Sequence, residues 1–301
     1  MPAMDQAEPL ARWRSLAKWE AAAVGLLLGA SLLFLINLNW SLADMAAYDG
    51  AARRLLDGAE LYPPLANERT PEVFRYAPWF AGAWIPMLAL PETARAVLWS
   101  AILIASCVAA AWPLLSSRRL LVSVIGFFAV VWLLGAAKYG NVEPLMIAML
   151  VWGVRSRWGP AAVGIAASLT IAPLLLAVVW IGRGEWRKVA ISVAVAAILL
   201  APMLLYELSN YPIEATALIS VRRPFGDVAW IGLTLVLAVA AIALSRTRMG
   251  WFAADVAVLA AYPQLPLYRL GTLLIGTQPG QPPPPPRRSA RAAEYPARDD
   301  I

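Results

Sequence analysis

Long apolar runs that carry almost no charged residues dominate this chain. A helix needs about 20 apolar residues to cross the hydrocarbon core of a bilayer. The runs therefore predict an all-α, polytopic helical membrane protein with about eight or nine transmembrane helices in one membrane domain, residues 21–277. Two soluble domains are excluded, because 60% of the residues are hydrophobic and 15% are charged, against about 25% charged in soluble domains. The runs are 21–43, 76–91, 93–117, 120–137, 144–154, 158–182, 189–206, 228–245 and 249–277.

The segment 1–20 is predicted to be cytoplasmic. Segments on that side of a membrane carry an excess of Lys and Arg, and three basic residues precede the first run. The loop 41–75 is then external, and we expect it to carry short surface helices. The basic residues are Arg12, Arg14 and Lys18.

The sides of the later loops depend on whether 76–91 crosses the membrane. We predict that it does, which makes the loop at about 207–227 a second external loop. The basic residues at 183, 187, 188, 246 and 248 are then inside, and those at 118, 119, 155 and 157 are outside. If it does not cross, the later loops change sides. The final residues, 278–301, contain five consecutive prolines at Pro282–Pro286 and several arginines. Such a composition favours an extended chain without a core, so we predict a disordered Pro/Arg-rich tail.

The sequence also excludes several kinds of chemistry. It contains no His and a single cysteine, Cys107. An imidazole base or ligand, a disulfide framework and a thiolate metal site are therefore excluded. The net charge of +6 is explained by basic membrane loops and does not require a nucleic-acid partner.

Asp44 is the main candidate for chemistry. It follows the first apolar run and precedes a predicted amphipathic helix over 45–57, in which Asp44 and Tyr48 share one face. A carboxylate at the membrane boundary is partly desolvated, which raises its pKa and makes it a better general base. The alternative is that Asp44 only caps the helix, and the two roles are compatible.

Three further clusters combine polar, basic and aromatic side chains near the ends of apolar runs. Each could bind a sugar or a lipid phosphate. The clusters are Tyr62 with Arg75 and Tyr76, Lys138 with Asn141 and Glu143, and Arg222 with Arg223. Each also has a purely structural alternative. The first can be an interfacial aromatic belt, the second a Gly-Asn turn, and the third an anchor to lipid head groups.

Several of these residues resemble a known family. The pattern Asp44-x3-Tyr48-x4-Arg53 up to Tyr62 is similar to the first external loop of glycosyltransferase family 87 in the GT-C superfamily. That family includes polyprenol-phosphate-mannose-dependent mannosyltransferases. Phe74–Pro78 resembles the family's entry to the second span, and Gly140-Asn141 matches its usual Gly-Gln or Gly-Asn.

The resemblance implies a membrane glycosyltransferase. Such an enzyme transfers a hexosyl unit, mannosyl in the enzymes it resembles, from a polyprenyl-phosphate donor to a lipid or glycan acceptor. The reaction inverts the anomeric centre at the external face of a bacterial cytoplasmic membrane, and Asp44 matches the general base. No resident cofactor is expected, although a divalent cation held by Asp44 or Asp49 remains an alternative. The cations available for the leaving phosphate are Arg75, Lys138, Arg222 and Arg223.

Two alternatives lack this chemistry. One is a transporter or lipid-handling membrane protein, for which Glu143, Asp255 and Arg269 are the ionisable candidates within the runs. The other is a degenerate, non-catalytic member of the same family that serves as a scaffold.

Overall fold

The computed structural model describes residues 7–64, 73–208, 211, 222–262 and 267–277, without the side chains of residues 7–17, 223, 224 and 267. The predicted disordered tail, 278–301, and most of the predicted loop at 207–227 lie outside the described residues. The described chain is helical from end to end.

The described residues form twelve α-helices joined by turns and four 3₁₀ segments. Five of the helical segments are long and apolar enough to cross a membrane: 18–36, 92–115, 120–137, 186–205 and 225–244. The structure is therefore that of a helical membrane protein, while eight or nine crossings remain a prediction. The helices are α1 Ala7–Ile36, α2 Ala43–Leu56, α3 Pro78–Trp84, α4 Glu92–Leu115, α5 Leu120–Ala137, α6 Glu143–Gly153, α7 Gly159–Leu169, α8 Val178–Arg183, α9 Trp186–Leu200, α10 Arg222–Leu244, α11 Gly250–Ala261 and α12 Leu274–Thr277. The 3₁₀ segments are Ile85–Ala89, Ala172–Ala177, Ala201–Leu205 and Leu267–Leu273.

The predicted amphipathic helix after Asp44 is confirmed as α2. Its buried residues include Met45, Tyr48 and Ala52, whose spacing of three and four residues places them on one face. Gly58, just past the end of the helix, has a φ of 64°, which is the left-handed conformation that favours glycine at a helix C-terminus.

The segment 76–91 does not form the single spanning helix that the sequence predicts. The segment forms α3, only seven residues long, and the five-residue 3₁₀ turn Ile85–Ala89. Both of its ends return to α2. At its start, the hydroxyl of Tyr76 accepts a hydrogen bond from the hydroxyl of Tyr48 (3.4 Å), and just beyond its end, Arg95 donates to Asp49 Oδ2 (2.6 Å). The segment therefore begins and ends on the same face of the molecule.

The run 158–182 is also not a single span. It divides into α7 and, after a turn at Thr170 and Ile171, the 3₁₀ segment Ala172–Ala177 continued by α8. Pro160 and Pro173 stand in the first turns of the two halves, where a missing N–H costs no hydrogen bond. α7 and Ala172–Ala177 pack against each other, so the run is a helical hairpin.

Together these two differences gather the basic turns on one face, which we call the basic face. Arg155 donates from Nη2 to the carbonyl of Ile275 (3.5 Å), and Arg183 donates from Nε to the carbonyl of Ser245 (2.8 Å). The ends of α6, α8, α10 and α12 therefore meet there. The basic turns are residues 116–119, 154–158, 183–188 and 245–249.

The first basic turn is placed by the direction of α4. Near the start of this helix, Trp99 donates to the carbonyl of Gly140 (2.8 Å), which precedes α6. Further along, Ala109 accepts a hydrogen bond from Trp152 Nε1 (2.8 Å), at the end of α6. The two helices are thus antiparallel, and α4 ends on the basic face. The opposite face carries the start of α2, and we call it the Asp44 face.

Candidate functional site

The start of α2 rests on the turn between α5 and α6. The carbonyl of Lys138 accepts hydrogen bonds from the backbone N–H groups of Ser41 and Leu42 (both 3.0 Å), and the carbonyl of Tyr139 accepts one from Asp44 (2.7 Å). For Leu42 and Asp44, these carbonyls partner N–H groups that the first turn of a helix leaves without internal acceptors. The backbone contacts fix the position of Asp44 against residues 138–143.

The alternative that Asp44 caps α2 is wrong. The cap position is Leu42, which makes no side-chain hydrogen bond to the helix, and Asp44 is the second residue within it. Because backbone carbonyls of the neighbouring turn partner this helix start, the Asp44 carboxylate is available for other contacts.

The Asp44 carboxylate is held by Asn141. Asn141 donates from Nδ2 to Asp44 Oδ2 (2.6 Å). The same side chain accepts a hydrogen bond from the backbone N–H of Glu143 at Oδ1 (2.8 Å). With both ends of its amide engaged, Asn141 has one orientation, and one oxygen of Asp44 is fixed by it.

The environment of Asp44 raises the pKa of its carboxylate toward neutral pH. Burial raises the pKa of Asp44 from its ordinary 3.8 to about 6, against the opposing effects of the Asn141 hydrogen bond and the positive charge of Arg75. Burial dominates because a low-dielectric environment disfavours the charged form. A carboxylate with such a pKa is a proton acceptor well matched to pH 7.

Asp44 faces a cavity of about 490 Å³, within the range of small-molecule sites. The cavity brings together six of the ten predicted site residues. Its wall includes the ends of α2, α6, α7, α9 and α11. The six residues are Asp44, Tyr48, Arg75, Tyr76, Asn141 and Glu143.

The cavity also contains a group that the predicted site lacked. Arg269, from the segment Leu267–Leu273, lies with its Nε 3.6 Å from Oε2 of Glu143. Its guanidinium group stacks 3.8 Å above the ring of Tyr262. Arg269 is a lone charge in an apolar run, and the sequence alone associates it with the transporter alternative only.

Four predicted site residues do not line this cavity. Tyr62 supports its wall, because its hydroxyl donates to the carbonyl of Tyr76 (2.8 Å). Lys138 contributes its backbone carbonyl, and its Nζ lies 4.8 Å from the centre of the Tyr139 ring. Arg222 is exposed and binds Asp227, and the side chain of Arg223 lies outside the described residues.

The carboxylate of Asp49 is used for packing. Its two oxygens accept hydrogen bonds from Trp84 and Arg95, and it is not part of the cavity wall. Within the ranges that the structure describes, no three His, Cys, Asp or Glu residues are grouped as metal ligands. Because both oxygens of Asp49 are already engaged, this geometry does not support Asp49 as the holder of a divalent cation.

Comparisons with protein-family models, with curated proteins and with solved structures find no match to this chain.

Proposed function

We propose that this protein is a GT-C-type membrane glycosyltransferase that moves a hexosyl unit, mannosyl by its resemblance, from a polyprenyl-phosphate donor to a hydroxyl of a lipid or glycan acceptor. The observation that carries the proposal is the Asp44 carboxylate: it faces a cavity, is oriented by Asn141 and has its pKa raised to about 6. The resemblance of residues 44–78 to glycosyltransferase family 87 supports the same conclusion.

The proposed reaction is a single inverting displacement. Asp44 accepts the proton of the acceptor hydroxyl as its oxygen attacks the anomeric carbon of the donor sugar. The bond from that carbon to the phosphate oxygen breaks, and polyprenyl phosphate leaves with the electron pair. The leaving group is already a stabilised anion, so it needs nearby positive charge rather than an acid. Arg75 and Arg269 are the cations of the cavity wall.

The proposed location is the external side of a bacterial cytoplasmic membrane. The basic turns share one face, and cytoplasmic segments are rich in Lys and Arg. Asp44 lies on the opposite face, where a lipid-linked sugar would be exposed to an external acceptor.

The direct test measures hexosyl transfer by the full chain in proteoliposomes, with radiolabelled polyprenyl-phosphate mannose and glucose as donors. Asp44→Asn is expected to reduce the rate by about 10²- to 10⁴-fold, the usual contribution of general-base catalysis. The wild-type rate is expected to fall below about pH 6 as Asp44 becomes protonated.

A matched control is Asp57→Asn. Asp57 is an exposed acid at the end of the same helix, so its replacement is expected to leave transfer unchanged. Equal transfer by wild type and Asp44→Asn would refute the role of Asp44 as the base.

A carrier without chemistry is the second candidate. Glu143 and Arg269 form an ion pair in the cavity, with side chains 5% and 21% exposed, and ionisable groups within apolar segments often mark a transport path. Asp255 is fully buried but does not line the cavity, so it is a weaker candidate for that path. Uptake of labelled hexose into proteoliposomes that is lost in Glu143→Gln, together with no transfer activity, would favour the carrier.

A further inference from the structure

The cavity wall contains a second carboxylate, Glu143, and one of its oxygens has no hydrogen-bond donor among the described residues. Glu143, the first residue of α6, lines the cavity with its side chain only 5% exposed. Arg269 approaches one of its oxygens, Oε2, at 3.6 Å. The other oxygen, Oε1, is buried and has no hydrogen-bond partner among the described residues.

A buried carboxylate oxygen without a donor is unfavourable. Such a group loses its hydration without gaining a hydrogen bond, and the cost is larger when the group is charged. Nearly all buried polar groups in proteins therefore have partners. Because Glu143 lines a cavity of ligand size, a bound molecule can supply the missing donor. The unsatisfied oxygen therefore indicates the position at which a bound ligand would donate a hydrogen bond.

The charges around Glu143 select the kind of donor. Arg269 already compensates the negative charge of Glu143, and its guanidinium is held over the Tyr262 ring. Arg75 adds a second positive charge to the same wall. A cationic ligand would be repelled by both arginines, whereas a neutral hydroxyl can donate to Oε1 without adding charge.

The aromatic part of the wall fits the same kind of ligand. The rings of Tyr76, Tyr262 and Tyr268 line the cavity together with Glu143. Sites for small molecules commonly combine aromatic surfaces with a few placed polar groups. A sugar ring has both features that this wall can bind, a C–H face and outward hydroxyls.

We propose that Glu143 is a specificity-determining residue that accepts a hydrogen bond from a ring hydroxyl of the transferred hexose, with Arg269 as its positioning residue. This inference rests on the proposed function, because it assigns the sugar of the donor to this part of the cavity. A site built to bind a hydroxyl discriminates strongly against the analogue that lacks it.

The test compares kcat/KM for a polyprenyl-phosphate hexose with the values for its four monodeoxy analogues, at carbons 2, 3, 4 and 6. In the wild type, at least one analogue is expected to lose at least tenfold relative to the parent donor. In the double variant Glu143→Leu with Arg269→Met, both donors are expected to react more slowly, because Arg269 is also a cation for the leaving phosphate. The values of kcat/KM for that analogue and for the parent donor are then expected to be equal.

The double variant is chosen so that a loss of stability is not mistaken for a loss of sugar recognition. Removing Glu143 alone leaves Arg269 as an unpaired buried charge, whereas removing both partners of a buried pair is often neutral for stability. Glu143→Gln keeps one acceptor oxygen and is expected to retain part of the discrimination. Asp255→Asn, at another fully buried acid that lies outside the cavity wall, is the matched control and is expected to discriminate as the wild type does.

A binding measurement separates failure of this inference from failure of the proposed function. Saturation-transfer NMR with methyl α-D-mannopyranoside and methyl α-D-glucopyranoside reports sugar binding without any transfer. A signal present in wild type and Asp255→Asn but lost in the double variant supports the Glu143 subsite even if no transfer is found. Equal signals in all three proteins, or equal discrimination by wild type and double variant, would overturn the inference.

Discussion

At the scale of a single residue, the environment that suits Asp44 for proton transfer also destabilises the fold. The carboxylate has a pKa of about 6 in the folded protein and 3.8 ordinarily, so the folded state binds the proton more tightly. The stabilising contribution of the protonated form is complete below about pH 4 and is lost as the pH rises through 6. At pH 7 the loss is about 3 kcal/mol, since one pKa unit corresponds to about 1.4 kcal/mol.

Replacing this carboxylate is therefore expected to stabilise the protein while it removes activity. Asp44→Asn has no charge to bury, and its amide oxygen can still accept the hydrogen bond from Asn141. Thermal unfolding in detergent is expected to show a higher melting temperature than the wild type at pH 8. The difference should shrink toward pH 4, where Asp44 is protonated.

Asp57→Asn, at the exposed end of the same helix, is expected to follow the wild type at every pH. A lower melting temperature for Asp44→Asn at pH 8 would contradict the conclusion that burial of the charged Asp44 carboxylate destabilises the fold.

At the scale of an element, the turn between α5 and α6 depends on one glycine. Gly140 has a φ of 77°, and a Cβ at this position would lie 3.0 Å from the backbone nitrogen of Met45. Gly140→Ala therefore adds both backbone strain and a close contact with α2. We expect a lower melting temperature and a loss of hexosyl transfer, because the contact displaces the helix that carries Asp44.

Gly184 allows the two effects to be separated. It also has a positive φ, 72°, but a Cβ there would meet nothing within 4 Å. Gly184→Ala should therefore show only the left-handed strain, about 1–2 kcal/mol, with transfer retained. Equal effects of the two substitutions on both readouts would show that the approach of Met45 is unimportant.

The sequence predicted helical content and α2 better than it predicted how the apolar runs divide. The run 158–182 is long enough to cross once, and hydropathy does not register its reversal at Thr170 and Ile171. The prolines at 160 and 173, each in the first turn of a helix, were the available signal. Three prolines within 76–91 likewise indicated that this segment is not one continuous helix.

The site was predicted in part for a comparable reason. Residue types near run ends identified Asp44, Asn141 and Glu143, but their mutual contacts depend on the way α2 docks on a turn about a hundred residues later. Arg269 was assigned to the transporter alternative only, as one of the ionisable residues within the apolar runs. Only the tertiary fold brings it to Glu143.

At the scale of the whole molecule, two differences from the predicted topology cancel. The segment 76–91 does not cross, and the run 158–182 enters and returns. The basic turns at 118 and 187 therefore share one face, although the predicted topology put them on opposite sides. Leu200, at the end of α9, lines the same cavity as Asp44. The chain therefore enters the loop at about 207–227 from the Asp44 face, as the prediction of two external loops requires.

Cysteine labelling in intact cells tests this arrangement. With Cys107→Ala as background, the substitutions Arg118→Cys, Arg157→Cys, Arg187→Cys and Arg246→Cys are expected to react with a membrane-impermeant maleimide only after permeabilisation. All four positions are exposed on the basic face. Glu60→Cys and Glu92→Cys, exposed near α2 and at the start of α4, should react without it.

A different labelling pattern would show which part of this arrangement is wrong. Opposite accessibility of positions 118 and 187 would mean that the run 158–182 crosses once. Shared accessibility of positions 60 and 118 would mean that α4 does not carry the chain across the membrane.

The contact between Asp44 and Asn141 also has a consequence for biosynthesis. The two residues are 97 positions apart, so at about 5–20 residues per second the ribosome makes the second roughly 5–20 s after the first. During that interval α2 has emerged without the turn on which it later rests. Its apolar face, which includes Met45, Tyr48 and Ala52, allows it to bind the lipid surface until that turn is made. The carboxylate is thus made early but acquires its orientation only when the α5–α6 turn has been inserted.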